Sequence, residues 1–193
     1  MKLLAFTDTH GEKRLYADLK EKSRGADIAV CCGDFTEYGE DIQQHFDFLE
    51  SLHSPVLLIH GNHESEQVVR NLEYSAENVS FIHRRIYEEE QYAFIGYGGL
   101  GFDFKTSDFE SFIKETTLPN KELILVTHQP PHRTALDYPY DSHVGNNSFR
   151  KFCDAHGVTL CLSGHIHECF GMSDESNGVE YLNPGPEGVI LSL

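Results

Sequence analysis

The 193-residue chain carries 31 acidic against 15 basic side chains, a formal net charge of −16, with 39% hydrophobic and 24% charged residues. That length supports one well-buried core, and that acidity argues against non-specific binding to a nucleic-acid backbone, which needs clustered Lys and Arg. No apolar run is long enough to span a bilayer, and the opening MKLLAFTDTH is cut by Thr7 and Asp8 too early for a secretory signal, so a single cytoplasmic domain over residues 1–193 is expected.

KLLAF (2–6) reads as the first strand and leads into Thr7-Asp8-Thr9-His10. Residues 12–23 read as helix. DIAVCC (27–32) ends in Gly33-Asp34, and DIQQHFDFLESL then sets Ile42, Phe46, Leu49 and Leu52 on one helical stripe. PVLLIH (55–60) runs into Gly61-Asn62-His63-Glu64. YAFIGY (92–97) and ELILVTH (122–128) follow, the latter closing on His128. The longest irregular stretch, QPPHRTALDYPYDSHVGN (129–146), has the length of a functional loop, and its Tyr138 and Tyr140 offer an aromatic surface to a second copy of the chain as a homo-oligomer. Residues 147–155 read as a helix with Asn147 or Ser148 as N-cap, and VTLCLS (158–163) delivers Gly164-His165-Ile166-His167. From Glu168 onward the pattern is strand-like with turns at ESNG and NPGPEG, and a strand-rich meander is expected to close the domain.

Apolar runs of this length without polar alternation are strands covered on both faces. Their alternation with helices predicts an α/β fold whose sheet is parallel at least in its first half. The five cysteines, Cys31, Cys32, Cys153, Cys161 and Cys169, are odd in number and form no C-x-x-C pair, so buried reduced thiols are expected.

Five of the strand-like runs end in residues able to bind metal: Asp8 and His10, Asp34, Asn62, His128, then His165 and His167. Open α/β sheets gather ligands at the carboxyl ends of their strands. Carboxylate, imidazole and amide oxygen suit Mn, Fe, Zn or Ni, and the absence of thiolate argues against a closed structural zinc site. Seven candidates are too many for one catalytic ion and suit two ions sharing a carboxylate, about 3.5–4 Å apart. Each position alone has a plainer explanation, turn chemistry for Gly33-Asp34 and Gly61-Asn62 or a satisfied histidine elsewhere. The ordered set at successive strand ends outweighs it.

The order D-x-H, G-D, G-N-H-E, H, G-H-x-H, spread over residues 8 to 167, resembles the calcineurin-like metallophosphoesterase superfamily, in particular its small prokaryotic, class III phosphodiesterase-like members. The resemblance implies a four-layer α/β/β/α sandwich around two divalent ions, manganese foremost, with Fe, Zn or Ni as the other candidates. One ion would be held by Asp8, His10, Asp34 and His167, the other by Asp34, Asn62, His128 and His165, with Asp34 bridging. It implies hydrolysis of a phosphodiester or small phosphoester by a hydroxide shared between the ions. It makes His63 the general acid for the leaving oxygen rather than a ligand, or, with Asn62, a contact to the phosphoryl oxygens.

Superfamily members that act on phosphorylated Ser and Thr in proteins read G-D-x-x-D-R-G, where this chain reads G-D-F-T-E-Y-G from Gly33 to Gly39. Glu37 stands where their Asp orients the catalytic histidine, which makes it the expected partner of His63. Tyr38 stands where their phosphate-binding Arg is found. Loss of that bidentate clamp for a dianion points away from a protein phosphatase. The H-x-P-P and H-V-G segments of the 129–146 stretch resemble a substrate-lining loop, which assigns His132, Arg133 and His143 to the substrate pocket, and Asn183 resembles the N-P-G turn beside the site. The competing readings are a non-catalytic scaffold of the same fold that binds partner proteins, and a metal-dependent amidohydrolase. The scaffolds lack some of these positions, all filled here, and the amidohydrolase barrel needs about 250 residues.

Overall fold

The computed structural model describes residues 1–139 and 141–193, and every run predicted as a strand forms one. The first half alternates β1 (Lys2–Phe6), α1 (Tyr16–Ser23), β2 (Ile28–Cys31), α2 (Ile42–Glu50), β3 (Val56–Leu58), α3 (Glu66–Glu73) and β4 (Val79–Phe81). The second half runs β5 (Arg85–Glu89), β6 (Tyr92–Tyr97), α4 (Ser107–Glu115), β7 (Glu122–Thr127), α5 (Asn147–His156), β8 (Val158–Leu162), β9 (Ser173–Ser176), β10 (Val179–Leu182) and β11 (Val189–Ser192). Two mixed sheets result. One has the order β11-β1-β2-β3-β4, parallel throughout except for β11; the other has the order β5-β6-β7-β8-β10-β9, parallel except at its two edges.

Side-chain alternation along each strand builds four layers. Leu3 and Ala5 of β1 face a core shared with Phe94 of β6, Ile124 and Val126 of β7 and Leu162 of β8, so the two sheets pack face to face. Leu4 and Phe6 point the other way, against Leu19 of α1, Phe46 and Leu49 of α2 and Val69 of α3. On the far side of the second sheet, Ala93, Ile95 and Leu125 meet Phe109 of α4 and Phe149, Phe152 and Cys153 of α5. Three apolar cores thus account for strands apolar on both faces. All five cysteines are buried and free, and no helix among the described residues is long and apolar enough to cross a membrane.

The closing meander is corrected by the structure. β9 and β10 make an antiparallel hairpin on the second sheet, but the NPGPEG segment carries the chain across, and β11 pairs antiparallel with β1 in the first. Val189 and Leu191 thereby join the inter-sheet core. Two helices and two strands were not expected. α3 packs Val69 with the partly buried Leu72, and α4 packs Phe109 with the partly buried Phe112 and Ile113, stripes at helical spacing that sequence reasoning passed over. β4 has only three residues, and β5 is a charged edge strand, RIYEE, of the kind that blunts edge-to-edge pairing. Tyr138 is half exposed with its ring 4.8 Å from that of His143, while Tyr140 lies outside the described residues.

The N-cap of α5 is also corrected, by one residue. Asn146, wholly buried, accepts the amides of Ser148 (2.9 Å) and Phe149 (3.3 Å), and its Nδ2 donates to the Asp103 carbonyl at 2.8 Å. Asn146→Ala is expected to cost about 1–2 kcal/mol, read in thermal unfolding as a fall of about 2–4 °C in Tm for each kcal/mol. An unchanged Tm would deny the cap its role.

Candidate metal centre

Five loops at the carboxyl ends of β1, β2, β3, β7 and β8 bring all seven expected ligands to one cleft of about 330 Å3 or to its floor. Asp8, His10 and His167 form one cluster. The Nε2 atoms of His10 and His167 stand 3.2 Å apart, with Asp8 Oδ1 at 3.8 and 3.5 Å from them. Asp34, His128 and His165 form the second. His128 Nε2 lies 3.2 Å from Asp34 Oδ2 and 3.0 Å from Asn62 Oδ1. Four imidazoles and two carboxylates converging on so small a volume suit divalent cations.

The local backbone is bent to aim these groups. Asp8, His10, Asp34 and His165 adopt φ of +52°, +43°, +49° and +69°, the left-handed region that costs a non-glycine residue energy and recurs at functional sites. The strand ladder is continued through the loops to hold them, with Asp8 N on Gly33 O (3.0 Å) and His10 N on Asp34 O (3.0 Å). Two glycines are required by close approach. A Cβ at Gly61 would fall 2.0 Å from Asp34 Oδ1, and one at Gly164 would fall 2.3 Å from Asp8 Oδ2.

Hydrogen bonds around the clusters fix which ring atom faces the cleft. His128 Nδ1 donates to the Cys32 carbonyl (2.9 Å), which leaves Nε2 for the site. Asp8 accepts from Thr7 Oγ1 (2.6 Å) and from the His165 amide (3.0 Å). His165 Nε2 is buried without any hydrogen-bond partner. Burial, then the charge on nearby His128, pushes its pKa down to about 4, so the ring is neutral with a free lone pair. An orphaned neutral imidazole nitrogen, buried beside two carboxylates, is what a metal-ligating histidine presents before the metal binds, and this donor set fits two divalent ions.

Sequence reasoning passed over one carboxylate of structural weight. Glu64, the last residue of G-N-H-E and almost fully buried, accepts the amides of Asp34 (3.0 Å), Thr36 (2.9 Å) and Gly61 (2.9 Å) and the Thr36 hydroxyl (2.7 Å). It clamps the loop after β2 to the loop after β3. Burial and the Asp34 charge push its carboxyl up to about 7, against donors that pull it down.

The remaining expected residues divide. His63 lines the cleft, its amide on Asp34 Oδ1 (2.9 Å) and its Nε2 3.8 Å from Asp34 Oδ2. Its Nδ1 accepts the Tyr38 amide at 3.3 Å, and the exposed Tyr38 ring stacks on it with centroids 3.9 Å apart. Glu37, expected to pair with His63, lies between two rings, 3.1 Å from His10 Nδ1 and 3.9 Å from His63 Nδ1. His143 is not part of the cleft lining. Its Nδ1 sits 2.6 Å from Asp137 Oδ1, and this wholly buried carboxylate organises the 129–146 loop by also accepting the amides of Arg133, Thr134 and Gly145. The signal for Asp137 was present as a T-x-x-D capping box, Thr134 to Asp137. Asn183, wholly buried, braces the ligand loop by donating to the Ile166 carbonyl at 3.2 Å.

Comparisons with known proteins agree with this fold. A sequence profile of the calcineurin-like phosphoesterase family matches residues 1–169. The uncharacterized protein MJ1162 of Methanocaldococcus jannaschii is 28% identical over 204 residues, covering 99% of this chain and 91% of its own. Among solved structures, TT1561 of Thermus thermophilus superposes with a TM-score of 0.76 at 16% identity, covering 96% of this chain and 89% of that one. A structure described as a novel archaeal phosphodiesterase gives a TM-score of 0.54 at 16% identity, with 96% and 84% covered. At such identities the structural matches speak for the fold alone.

The protonation pattern yields a prediction about metal uptake. Burial opposes charge on His128, but the hydrogen bond and charge of Asp34 outweigh it and hold the metal-free imidazolium up to about 9. Burial likewise opposes the charge on Asp34, which the His128 hydrogen bond and charge overcome, lowering it to about 2. The pair's contribution to folding is therefore present between the ordinary carboxylate and imidazole ranges, fades as pH rises through about 9, and is lost as pH falls through about 2. Loading a divalent ion must expel the Nε2 proton of His128. Titration calorimetry near pH 7.5 in buffers of different ionisation enthalpy is expected to register proton release with metal uptake, and affinity is expected to climb with pH toward about 9. Uptake without proton release would mean that His128 is not a ligand.

Proposed function

The chain belongs to the calcineurin-like phosphoesterase family, and from that premise we propose that it is a binuclear metal-dependent hydrolase of a phosphodiester or small phosphoester. The supporting observation is the convergence of Asp8, His10, Asp34, Asn62, His128, His165 and His167 from five strand ends, with His165 Nε2 buried and unpartnered. Asp8, His10, Asp34 and His167 would hold one ion and Asp34, Asn62, His128 and His165 the other. Bound there, two divalent ions supply Lewis acidity and an activated water.

The chain's own residues do the rest. Asn62 and His63 line the cleft mouth and orient the phosphoryl group by hydrogen bonding. His63 has two supports for its Nδ1. The Tyr38 amide serves the neutral ring, whose proton then stands on Nε2, toward the cleft. The Glu37 carboxylate, 3.9 Å away, serves the imidazolium. Only the imidazolium delivers a proton to a leaving oxygen and remains a stable neutral ring, so Glu37 supports the acid role electrostatically while it also steadies His10 Nδ1. The lining of this cleft includes no Arg or Lys. A dianionic monoester would find no bidentate clamp there, and a monoanionic diester needs none.

Metal-stripped protein reloaded with Mn²⁺ is expected to hydrolyse bis(p-nitrophenyl) phosphate faster than p-nitrophenyl phosphate. No metal-dependent hydrolysis of either, with the metals verified as bound, would reject the reading. Asp34→Asn should lose metal and activity together. His63→Ala should keep both ions and lose about 10²–10⁴-fold in turnover of an ester with a poor leaving group; turnover at the unsubstituted rate would remove the acid role. Glu37→Gln should move the basic limb of the rate profile to lower pH, and an unchanged profile would free Glu37 from that role.

A further inference from the structure

A second cleft, of about 400 Å3, is lined by Phe104, His132, Arg133, Asn147, Arg150 and Lys151. Three cations in one concavity stand out in a chain where acids outnumber bases 31 to 15. The acid of that lining, Asp154, is already bound through both oxygens by Arg150 Nε and receives Asn177 Nδ2 at 3.0 Å. Arg150 itself is committed. Its other nitrogens donate to the Arg133 carbonyl (3.1 Å) and the Ser176 hydroxyl (2.9 Å). Arg133 and Lys151 form no ion pair with an acid among the described residues.

Arg133 is held, not merely exposed. Its φ is +59°, a conformation that a non-glycine residue keeps only when its surroundings impose it. The constraint is visible on both sides, with its amide on the buried Asp137 Oδ2 (3.1 Å) and its carbonyl on Arg150. Asn147 and Lys151, four residues apart on α5, present an amide and an ammonium on one helix face toward the same space. These donors share one cleft, with the backbone at Arg133 fixed, and suit an anion.

The cleft adjoins the metal centre through one short segment. The Phe102 ring lies 4.7 Å from that of His165, and the Phe104 ring lies 5.1 Å from that of His132. Two residues span at most about 7 Å. The segment is pinned to the start of α5 by Asn146 Nδ2 on Asp103 O (2.8 Å), Asn147 N on Phe104 O (2.8 Å) and Thr106 N on Ser148 Oγ (3.2 Å). Both rings are more than half exposed.

We propose that this cleft is a subsite for a second anionic group, of the phosphate class, carried by the substrate whose phosphoester lies at the metal centre. The proposal rests on the hydrolytic reading of that centre and narrows the substrate class to a phosphodiester bearing a further phosphate. Arg133, Asn147 and Lys151 receive the further phosphate, and Phe102 and Phe104 pack against the part of the substrate that joins the two anions.

Two measurements test it. Chelator-treated full chain is titrated with inorganic phosphate and followed by amide NMR, where localised shifts at residues 132–134 and 147–151 are expected. They should vanish in Arg133→Asn/Lys151→Gln, Asn being chosen because it tolerates the left-handed backbone. The Mn²⁺-loaded enzyme is then given the thymidine dinucleotides TpT and pTpT beside bis(p-nitrophenyl) phosphate. The 5′-phosphate should raise kcat/KM about tenfold, mainly through KM, as a charge-assisted contact does. That ratio should fall to about one in the double variant, whose folding is verified by its melting curve. Equal rates on TpT and pTpT, with bis(p-nitrophenyl) phosphate hydrolysed, overturn the subsite and leave the hydrolase standing, even where free phosphate shifts the amides. No hydrolysis of bis(p-nitrophenyl) phosphate overturns the hydrolase and the subsite with it.

Discussion

One imidazole joins the two sheets at the point where the site is built. His128 follows β7 of the second sheet, yet its partners, the Cys32 carbonyl, Asp34 and Asn62, all belong to the first. Removing a charged pair from water costs several kcal/mol per ion unless geometry and further hydrogen bonds offset it. Asp34 has that support in the His63 amide, and His128 has it in the Cys32 carbonyl. Replacing such pairs by apolar residues is often neutral for stability. The contribution of this one lies in where it fixes a carboxylate and a ring nitrogen relative to two sheets whose shared core is apolar.

The strain at the site has a source in the same design. Parallel strands end abruptly, and the loops that leave them have to turn side chains inward within one or two residues. Asp8, His10, Asp34 and His165 do so in left-handed conformations. Three apolar cores hold the strands rigid enough to impose this, and buried carboxylates do the finer work. Glu64 gathers amides from two loops of the first sheet, and Asp137 gathers those of the long loop beside the second. Neither needs to touch a substrate to decide where the groups that do will stand.

Electrostatics divide the surface in the same way. A chain at −16 repels anions at long range, so recognition of a phosphoester depends on local positive charge. The metal cleft has imidazoles and carboxylates but no Arg or Lys in its lining, whereas the neighbouring cleft concentrates three cations around an aromatic wall. Tyr38, in place of an arginine, contributes a flat ring stacked on His63 rather than a guanidinium.

The sequence by itself determined which side chains of this protein could bind metal and where on the fold they stand. The candidate ligand types, their order and their attachment to strand ends follow from short-range patterns, because a strand covered on both faces must be apolar and the polar residue that ends it is therefore conspicuous. The stripes of Phe46 and Leu49 in α2 and of Phe149 and Phe152 in α5 were legible at helical spacing, and those of Val69 and Leu72 in α3 and of Phe109, Phe112 and Ile113 in α4 were present but passed over. Only the tertiary structure decided that β11 returns to the first sheet, that Glu37 stands closer to His10 than to His63, that His143 anchors to Asp137, and that Glu64 clamps residues 30 positions away. Those choices depend on pairings between distant residues across loops. No local period encodes them, because each is settled by which backbone donors remain unpaired once both sheets have packed.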